Sequence, residues 1–202
     1  DGYASHIGGS TAQATHAMNE WWGKRGMGTM PHALIQLFKG DVVEASKAYY
    51  AKYPEDELIA LVDYNNDVIT DSLKVAREFG ETLKGVRVDT SRTMVDQYFW
   101  RNPDVLGTFD PRGVNAELIF ALREALDHEG FNHVKIVVSG GFTEERIRTF
   151  ESQNVPVDIY GVGSSLLKVD IGFTGDNVIL DDEPEAKAGR KYRHNPRLER
   201  VE

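Results

Sequence analysis

Short apolar runs end near positions 62, 88, 109, 138 and 160, and stretches of helical period fill the gaps between them. That rhythm, one apolar run every 20 to 30 residues, bears hardest on what this chain can fold into. Parallel strands are joined only by crossovers long enough to hold a helix, so alternating strand and helix signals predict β/α units on a parallel sheet. Leu58-Ile59-Ala60-Leu61-Val62 and Ile136-Val137-Val138 are apolar at consecutive positions. That is the pattern of strands covered on both faces. A closed barrel and an open doubly wound sheet both satisfy it, and both gather ligands at the carboxyl ends of the strands.

In chain order, Ser10 or Thr11 is expected to cap a helix over 12–24 that ends at Gly23 and Gly26. Pro31 suits the first turn of a second helix, and Asp41 the cap of a third over 42–52. Helices are further expected over 67–79, over 94–100 and, capped by Asn115, over 116–128. Strands are expected at 58–62, 85–89, 105–109, 136–138 and 157–160. Beyond them, 170–176, 177–180 and 185–191 suggest short strands joined by tight turns, followed by a tail rich in Arg and Lys. The expected organisation is therefore a β/α portion over 1–168 and a β-hairpin segment with a basic tail over 169–202.

Composition narrows the function. The 202 residues suffice for one domain with a core. A net charge of −9 argues against a nucleic-acid surface or an anionic membrane, while leaving room for a small phosphorylated ligand. The lack of cysteine rules out disulfides and thiolate metal sites and fits a cytoplasmic protein. No apolar run reaches membrane-spanning length. The opening Asp1-Gly2-Tyr3-Ala4-Ser5 has the character of the interior of a longer chain.

Chemistry concentrates just past the strand ends. Ser139-Gly140-Gly141 follows a strand and precedes a helix pattern opened by Thr143, and Gly161-Val162-Gly163-Ser164-Ser165 follows the next strand. Glycines at such a turn let backbone N–H groups approach an anion, beside the positive end of a helix. Two such loops on neighbouring units can clasp one phosphate from both sides. Asp63, Asp67 and Asp89 are carboxylates near that site, suited to Mg²⁺ or ribose hydroxyls, although each also suits a helix cap. Arg87 lies inside a strand between Val86 and Val88, where a guanidinium needs a partner. Asp89 is one candidate partner; a carboxylate or phosphate substrate is the other. Asp110 and Arg112 flank a turn. His32 shows no partner in the sequence that would activate it.

Gly28-Thr29-Met30-Pro31-His32-Ala33, Gly85-Val86-Arg87-Val88-Asp89-Thr90, Phe109–Asn115, Ile136–Phe142 and Tyr160–Ser165 together resemble the nicotinate phosphoribosyltransferases. The resemblance runs from about Gly8 to Tyr192 and corresponds to the C-terminal portion of the family's length. It implies an α/β fold of type II phosphoribosyltransferase kind, an incomplete β/α barrel of parallel strands, with the family's N-terminal domain missing from this chain. It implies transfer of a phosphoribosyl group from phosphoribosyl pyrophosphate (PRPP) to nicotinate, with Mg²⁺ and coupled ATP hydrolysis through a phosphohistidine. By position, His32 matches that histidine, and Arg87 the arginine near the pyridine carboxylate and PRPP. Asp89 matches the aspartate beside it, a candidate for Mg²⁺ carried on PRPP, and Asp67 an acidic residue near the ribose. Ser139, Gly140, Gly141, Gly163 and Ser164 match the 5′-phosphate loops, and Arg112 adds a cation. A homodimer completing its sites across the interface is also implied, with the ring-stacking aromatic supplied from outside the matched stretch. Relatives using nicotinamide or quinolinate, and a non-catalytic phosphate-binding subunit, are the competing expectations.

Overall fold

The computed structural model describes residues 2–107, 109–166, 172 and 175–197. By internal contacts the chain divides into two units, Asp1–Lys168 and Val169–Glu202.

The first unit is built on four strands: β1 (Leu58–Leu61), β2 (Leu83–Val88), β3 (Lys135–Val138) and β4 (Ile159–Tyr160). All pairings are parallel, and the spatial order is the chain order. A doubly wound sheet reverses its strand order at a switch point. This one never reverses, so right-handed crossovers carry every connecting helix to the same side, the winding of a barrel segment.

Among the described residues eight α-helices accompany these strands: α1 (Gly2–Ile7), α2 (His16–Asn19), α3 (His32–Leu37), α4 (Val42–Lys52), α5 (Val68–Phe79), α6 (Gln97–Arg101), α7 (Ala116–His128) and α8 (Glu144–Ser152). Helix α5 packs against both α4 and α7, forming one helical layer over the sheet. The pleat sends alternate residues to opposite faces. Ala60, Val86, Val88, Ile136 and Val138 join Val75, Leu118 and Leu122 in the hydrophobic core. The register sets Leu61, Arg87, Val137 and Ile159 side by side, with Ile59, Gly85 and Lys135 in the row before. These two rows carry Arg87 and Lys135 and lie, by the pleat, opposite Ala60, Val86 and Ile136.

The caps explain several boundaries. Asp41 Oδ1 accepts from the N–H groups of Val43 and Glu44 and starts α4. Asn115 Oδ1 accepts from Leu118 and starts α7, and Thr143 Oγ1 accepts from Arg146 and starts α8. Helix α5 begins differently: its first N–H, on Val68, is taken by Asp96 from a distant loop, and the Asp67 side chain makes no cap bond.

Three expectations are corrected. Residues 12–24 form no continuous helix. Asn19 turns its amide back onto the carbonyls of Gln13 and Thr15, so only α2 and one 3₁₀ turn form, and Trp21 stays 71% exposed. Of the strand expected at 105–109, Thr108 lies outside the described residues; the described ones form no strand, and Val105 instead closes a 3₁₀ turn over Pro103–Val105. Proline presets a helical φ there, and Val105 and Leu106 remain too exposed to join a core. In the second unit the expected strands reduce, among the described residues, to one bridge between Leu180 and Glu183 across Asp181 and Asp182, both at positive φ. Part of the strand expected over 170–176 lies outside the described residues. No helix among the described residues is long and apolar enough to cross a membrane.

Candidate active site

Parallel pairing brings the strand ends level. Val62 N–H donates to Arg87 O, Ser139 N–H to Val88 O and Gly161 N–H to Val138 O, the last at 2.7 Å. Asp63, Asp89, Ser139 and Gly161 are thereby the first residues past the ladder on four adjoining strands.

A continuous set of polar contacts runs across those ends. The His32 ring, at the start of α3, meets Asp63 Oδ1 through Nε2 at 3.0 Å. Asp63 is 3% exposed at its side chain and also accepts from the backbone N–H of Asp89 at 3.2 Å. Asp89 Oδ1 in turn accepts from the Ser139 hydroxyl at 2.7 Å. Burial raises the Asp63 carboxyl above the ordinary carboxylate range; His32 pulls it partway back, and the Asp89 charge raises it again.

Arg87 is the anomaly of the site. Its Nη2 lies 3.9 Å from Asp89 Oδ2 and 3.5 Å from the Met30 carbonyl, both long contacts, and its buried Nε has no partner among the described residues. A guanidinium carries five donors in a fixed fork, and most of these are uncommitted. The buried Thr90 hydroxyl is likewise unpaired. Buried polar groups are seldom left so, and those that are mark a place where a further group belongs.

The two glycine loops adjoin. Ser165 Oγ donates to the Phe142 carbonyl at 2.9 Å, tying the loop after β4 to the loop after β3. Gly140 and Gly141 sit at φ +90° and +75°, which a side chain would strain. A Cβ on Gly140 would also come within 3.4 Å of Asp89 Oδ1. Among the described residues no acceptor takes the N–H of Gly140, Gly141 or Phe142. Free N–H groups in such a concavity, at the start of a helix, suit an anion.

The structure thus joins His32, Arg87, Asp89, Ser139, Gly140 and Gly141 in one neighbourhood, with Gly163 and Ser164 on the adjoining loop. Asp67 and Arg112 are engaged elsewhere. Arg101 clasps Asp67 with two hydrogen bonds of 2.9 and 2.6 Å and holds its carboxyl below the usual range, although burial acts the other way. Exposed Arg112 forks onto Asp110 at 2.8 and 2.7 Å and draws that carboxyl down to about 2.

Asp63 was visible in the sequence as a strand-end carboxylate, but its service to His32 was not. The two are 31 positions apart, and only the fold brings α3 over β1. Arg92 and Arg146 also escape a motif reading. Both donate to the glycine loop, Arg92 Nη2 to Gly141 O at 2.9 Å and Arg146 Nη1 to Gly140 O at 3.0 Å. Arg146 had a signal: it is a cation in the first turn of a helix, where the dipole disfavours one.

Among the described residues no three His, Asp or Glu side chains gather to hold a metal ion. Mg²⁺ is usually held by one or two carboxylates and substrate phosphates rather than by an all-protein cage. Asp89, which accepts from Ser139 beside the glycine loops, is a single carboxylate of that kind.

No family model matches the chain. Among curated proteins it is similar to the nicotinate phosphoribosyltransferase of Bacillus subtilis, 26% identical over 169 residues, which is 81% of this chain and 29% of that protein. It is 27% identical over 167 residues to a nicotinate phosphoribosyltransferase of Mycobacterium tuberculosis, covering 81% of this chain and 31% of the relative. Among solved structures, the nicotinate-nucleotide pyrophosphorylase of Pyrococcus furiosus matches with a TM-score of 0.62 and 32% identity over 92% of this chain. The chain spans under a third of those curated relatives and 43% of that solved chain.

Proposed function

We propose that this chain carries the phosphoribosyl site of a nicotinate phosphoribosyltransferase, an enzyme of NAD metabolism that forms nicotinate mononucleotide and pyrophosphate from nicotinate and PRPP. The observation that carries the reading is the uncommitted Arg87 guanidinium beside Asp89, on strand ends that adjoin two tied glycine loops. The names of the curated relatives and of the solved neighbour support a phosphoribosyl transfer that involves nicotinate or its nucleotide.

In this reading the 5′-phosphate lies on the free N–H groups of the Gly140–Gly141 loop and the adjoining Gly163–Ser164 loop. The bond from the anomeric carbon to pyrophosphate breaks, and a bond to the pyridine nitrogen forms, through an oxocarbenium-like state. Nicotinate is already nucleophilic at nitrogen, so no strong base is required. Arg87 offers its fork to the nicotinate carboxylate and the departing pyrophosphate. Asp89, steadied by Ser139, is the residue we assign to Mg²⁺, which when bound neutralises charge on the leaving group. Asp67 remains with Arg101 and Arg112 with Asp110, so neither is assigned a substrate contact here.

His32 is the residue we assign to ATP coupling. With Nε2–H donating to Asp63, the lone pair rests on Nδ1. Attack by Nδ1 on the γ-phosphorus forms a P–N bond as the P–O bond to ADP breaks; water later releases inorganic phosphate. A phosphorylated His32 adds negative charge and acceptors beside the PRPP site. A homodimer in the cytoplasm completes the proposal, a location that the cysteine-free composition supports.

The test is turnover of purified protein with PRPP, Mg²⁺ and ATP, offered nicotinate, nicotinamide or quinolinate in turn. Mononucleotide from nicotinate alone is the expected result; product from another base would sink the base assignment, and no product together with no binding of PRPP would sink the reading. His32→Ala should retain basal transfer and lose the stimulation by ATP. Stimulation that survives would remove the phosphohistidine assignment and leave the transferase.

A further inference from the structure

Arg92 and Arg146 stand out in a chain with net charge −9. Acidic residues are plentiful, yet neither guanidinium has a carboxylate within salt-bridge reach among the described residues. They are instead gathered at one loop. Arg146 donates to the Gly140 carbonyl, and through Nη2 to the Val114 carbonyl, while its guanidinium stacks 4.1 Å from the Phe142 ring centroid. Arg92 donates to the next carbonyl, Gly141. Arg146 also opposes the dipole of its own helix, and both burial and the Arg92 charge hold its acidity above the usual level for arginine. Two cations crowded together without a counterion form an arrangement that an anion would relieve.

The peptide geometry adds direction. In a trans peptide the C=O of one residue and the N–H of the next point opposite ways. Pinning the Gly140 carbonyl therefore turns the Gly141 N–H away from Arg146, while the Arg92 guanidinium lies 3.8 Å from where a Cβ on Gly141 would stand. No acceptor among the described residues takes that N–H.

We infer that Arg92 is a direct ligand of the substrate's phosphate, and that Arg146 is a positioning residue that holds the glycine loop open to it. The inference deepens the functional proposal above and rests on it. The two arginines have distinct work. Arg92 is exposed and uses one donor on the loop, leaving others for phosphate oxygens. Arg146 spends its fork bridging two carbonyls across the turn, with no donor needed on the ligand. Pairing of a phosphate monoester with a guanidinium distinguishes a nucleotide from its nucleoside, so Arg92 would also set selectivity for the phosphorylated substrate.

The experiment is calorimetric titration of the purified protein with PRPP, nicotinate mononucleotide and nicotinate riboside, on wild type, R92Q, R92K, R146Q and R146K. R92Q should weaken both phosphorylated ligands about 10- to 100-fold, the range of one charge-assisted hydrogen bond, and leave riboside binding unchanged. R92K should recover part of the loss, because it restores charge without the fork. R146K should recover little, since one ammonium cannot bridge the Gly140 and Val114 carbonyls, and its urea midpoint reports whether the fold persists should R146Q not fold. Equal binding of phosphorylated ligands by R92Q and wild type overturns the assignment of Arg92 and leaves the functional reading standing. Full rescue by R146K overturns the positioning role. A wild type that binds neither PRPP nor the mononucleotide overturns the functional reading and this inference with it.

Discussion

Arg87 illustrates a residue whose surroundings argue against a purely structural role. Its Nε is buried without a partner and its ion-pair contact with Asp89 is long, so the fold gains little from it. Replacing it with an uncharged side chain of similar length should therefore leave stability unchanged or raise it by about 1 kcal/mol, the scale of one unmade hydrogen bond. Arg87→Met should lose transfer activity by roughly 100-fold or more, if the fork acts on charge that develops in the transition state. Urea unfolding beside steady-state kinetics checks both; a variant that unfolds easily while retaining kcat would return Arg87 to a structural role. Asp63 makes the opposite case, with a pH signature. Its folded-state carboxyl is raised above the ordinary 3.8 by burial first, His32 opposing and Asp89 adding. The folded chain thus holds that proton to higher pH than the unfolded chain does. The associated stability is complete below about 3.8 and is lost as pH rises through the folded-state value. Asp63→Asn has no such proton. Its stability relative to wild type should improve between pH 4 and pH 7, read from urea midpoints; a flat gap, or one that widens against the variant, would contradict the sign.

Helix α7 shows how far an element can be read from its own letters. Asn115 caps it in the sequence and in the structure alike, because a cap needs only a side-chain oxygen and three following residues. Asn115→Ala should cost about 1 kcal/mol, more if the Asn115 amide bonds to Pro111 and Gly113 are also missed, with no change in ligand affinity beyond that of a loosened fold. Gly140→Ala should act the other way: a φ of +90° and the contact with Asp89 Oδ1 place its cost, on the order of 1–3 kcal/mol, at the phosphate loop. Its loss of PRPP affinity should exceed what its lowered stability explains, as calorimetry beside a melt would reveal. The same contrast marks what was legible. Helices α4 and α7 follow from local period and caps, α5 from its period alone, strands β1 to β3 from their apolar runs, and the glycine loops from their place after strands. The helix expected over 12–24 failed through Asn19, whose amide bonds to earlier carbonyls carry no signature in helical period. The partnership of His32 with Asp63, the Arg101 clasp on Asp67 and the reach of Arg92 to the loop depend on which elements meet, and no local pattern encodes that.

For the whole molecule, the division of labour between the sheet and what lies beyond it can be measured as linkage. The glycine loops, Arg87 and Asp89 all belong to the first unit, on one end of one sheet. The resemblance puts the aromatic that stacks on the pyridine ring outside the matched stretch. A ligand that binds only the folded state stabilises it by RT ln(1 + [L]/Kd), about 2.7 kcal/mol at one hundred times Kd. For a chain of this size that corresponds to a rise in Tm of roughly 5–10 °C. PRPP with Mg²⁺ should produce such a rise in the purified protein, and nicotinate alone should produce much less, because the proposal gives nicotinate a single partner on this chain, Arg87. The rise should shrink in Arg87→Met and in Gly140→Ala and persist in His32→Ala, whose imidazole lies on the ATP side of the proposed chemistry. A larger shift from nicotinate than from PRPP would reverse the assignment, making the strand ends a pyridine pocket and the glycine loops mere connections.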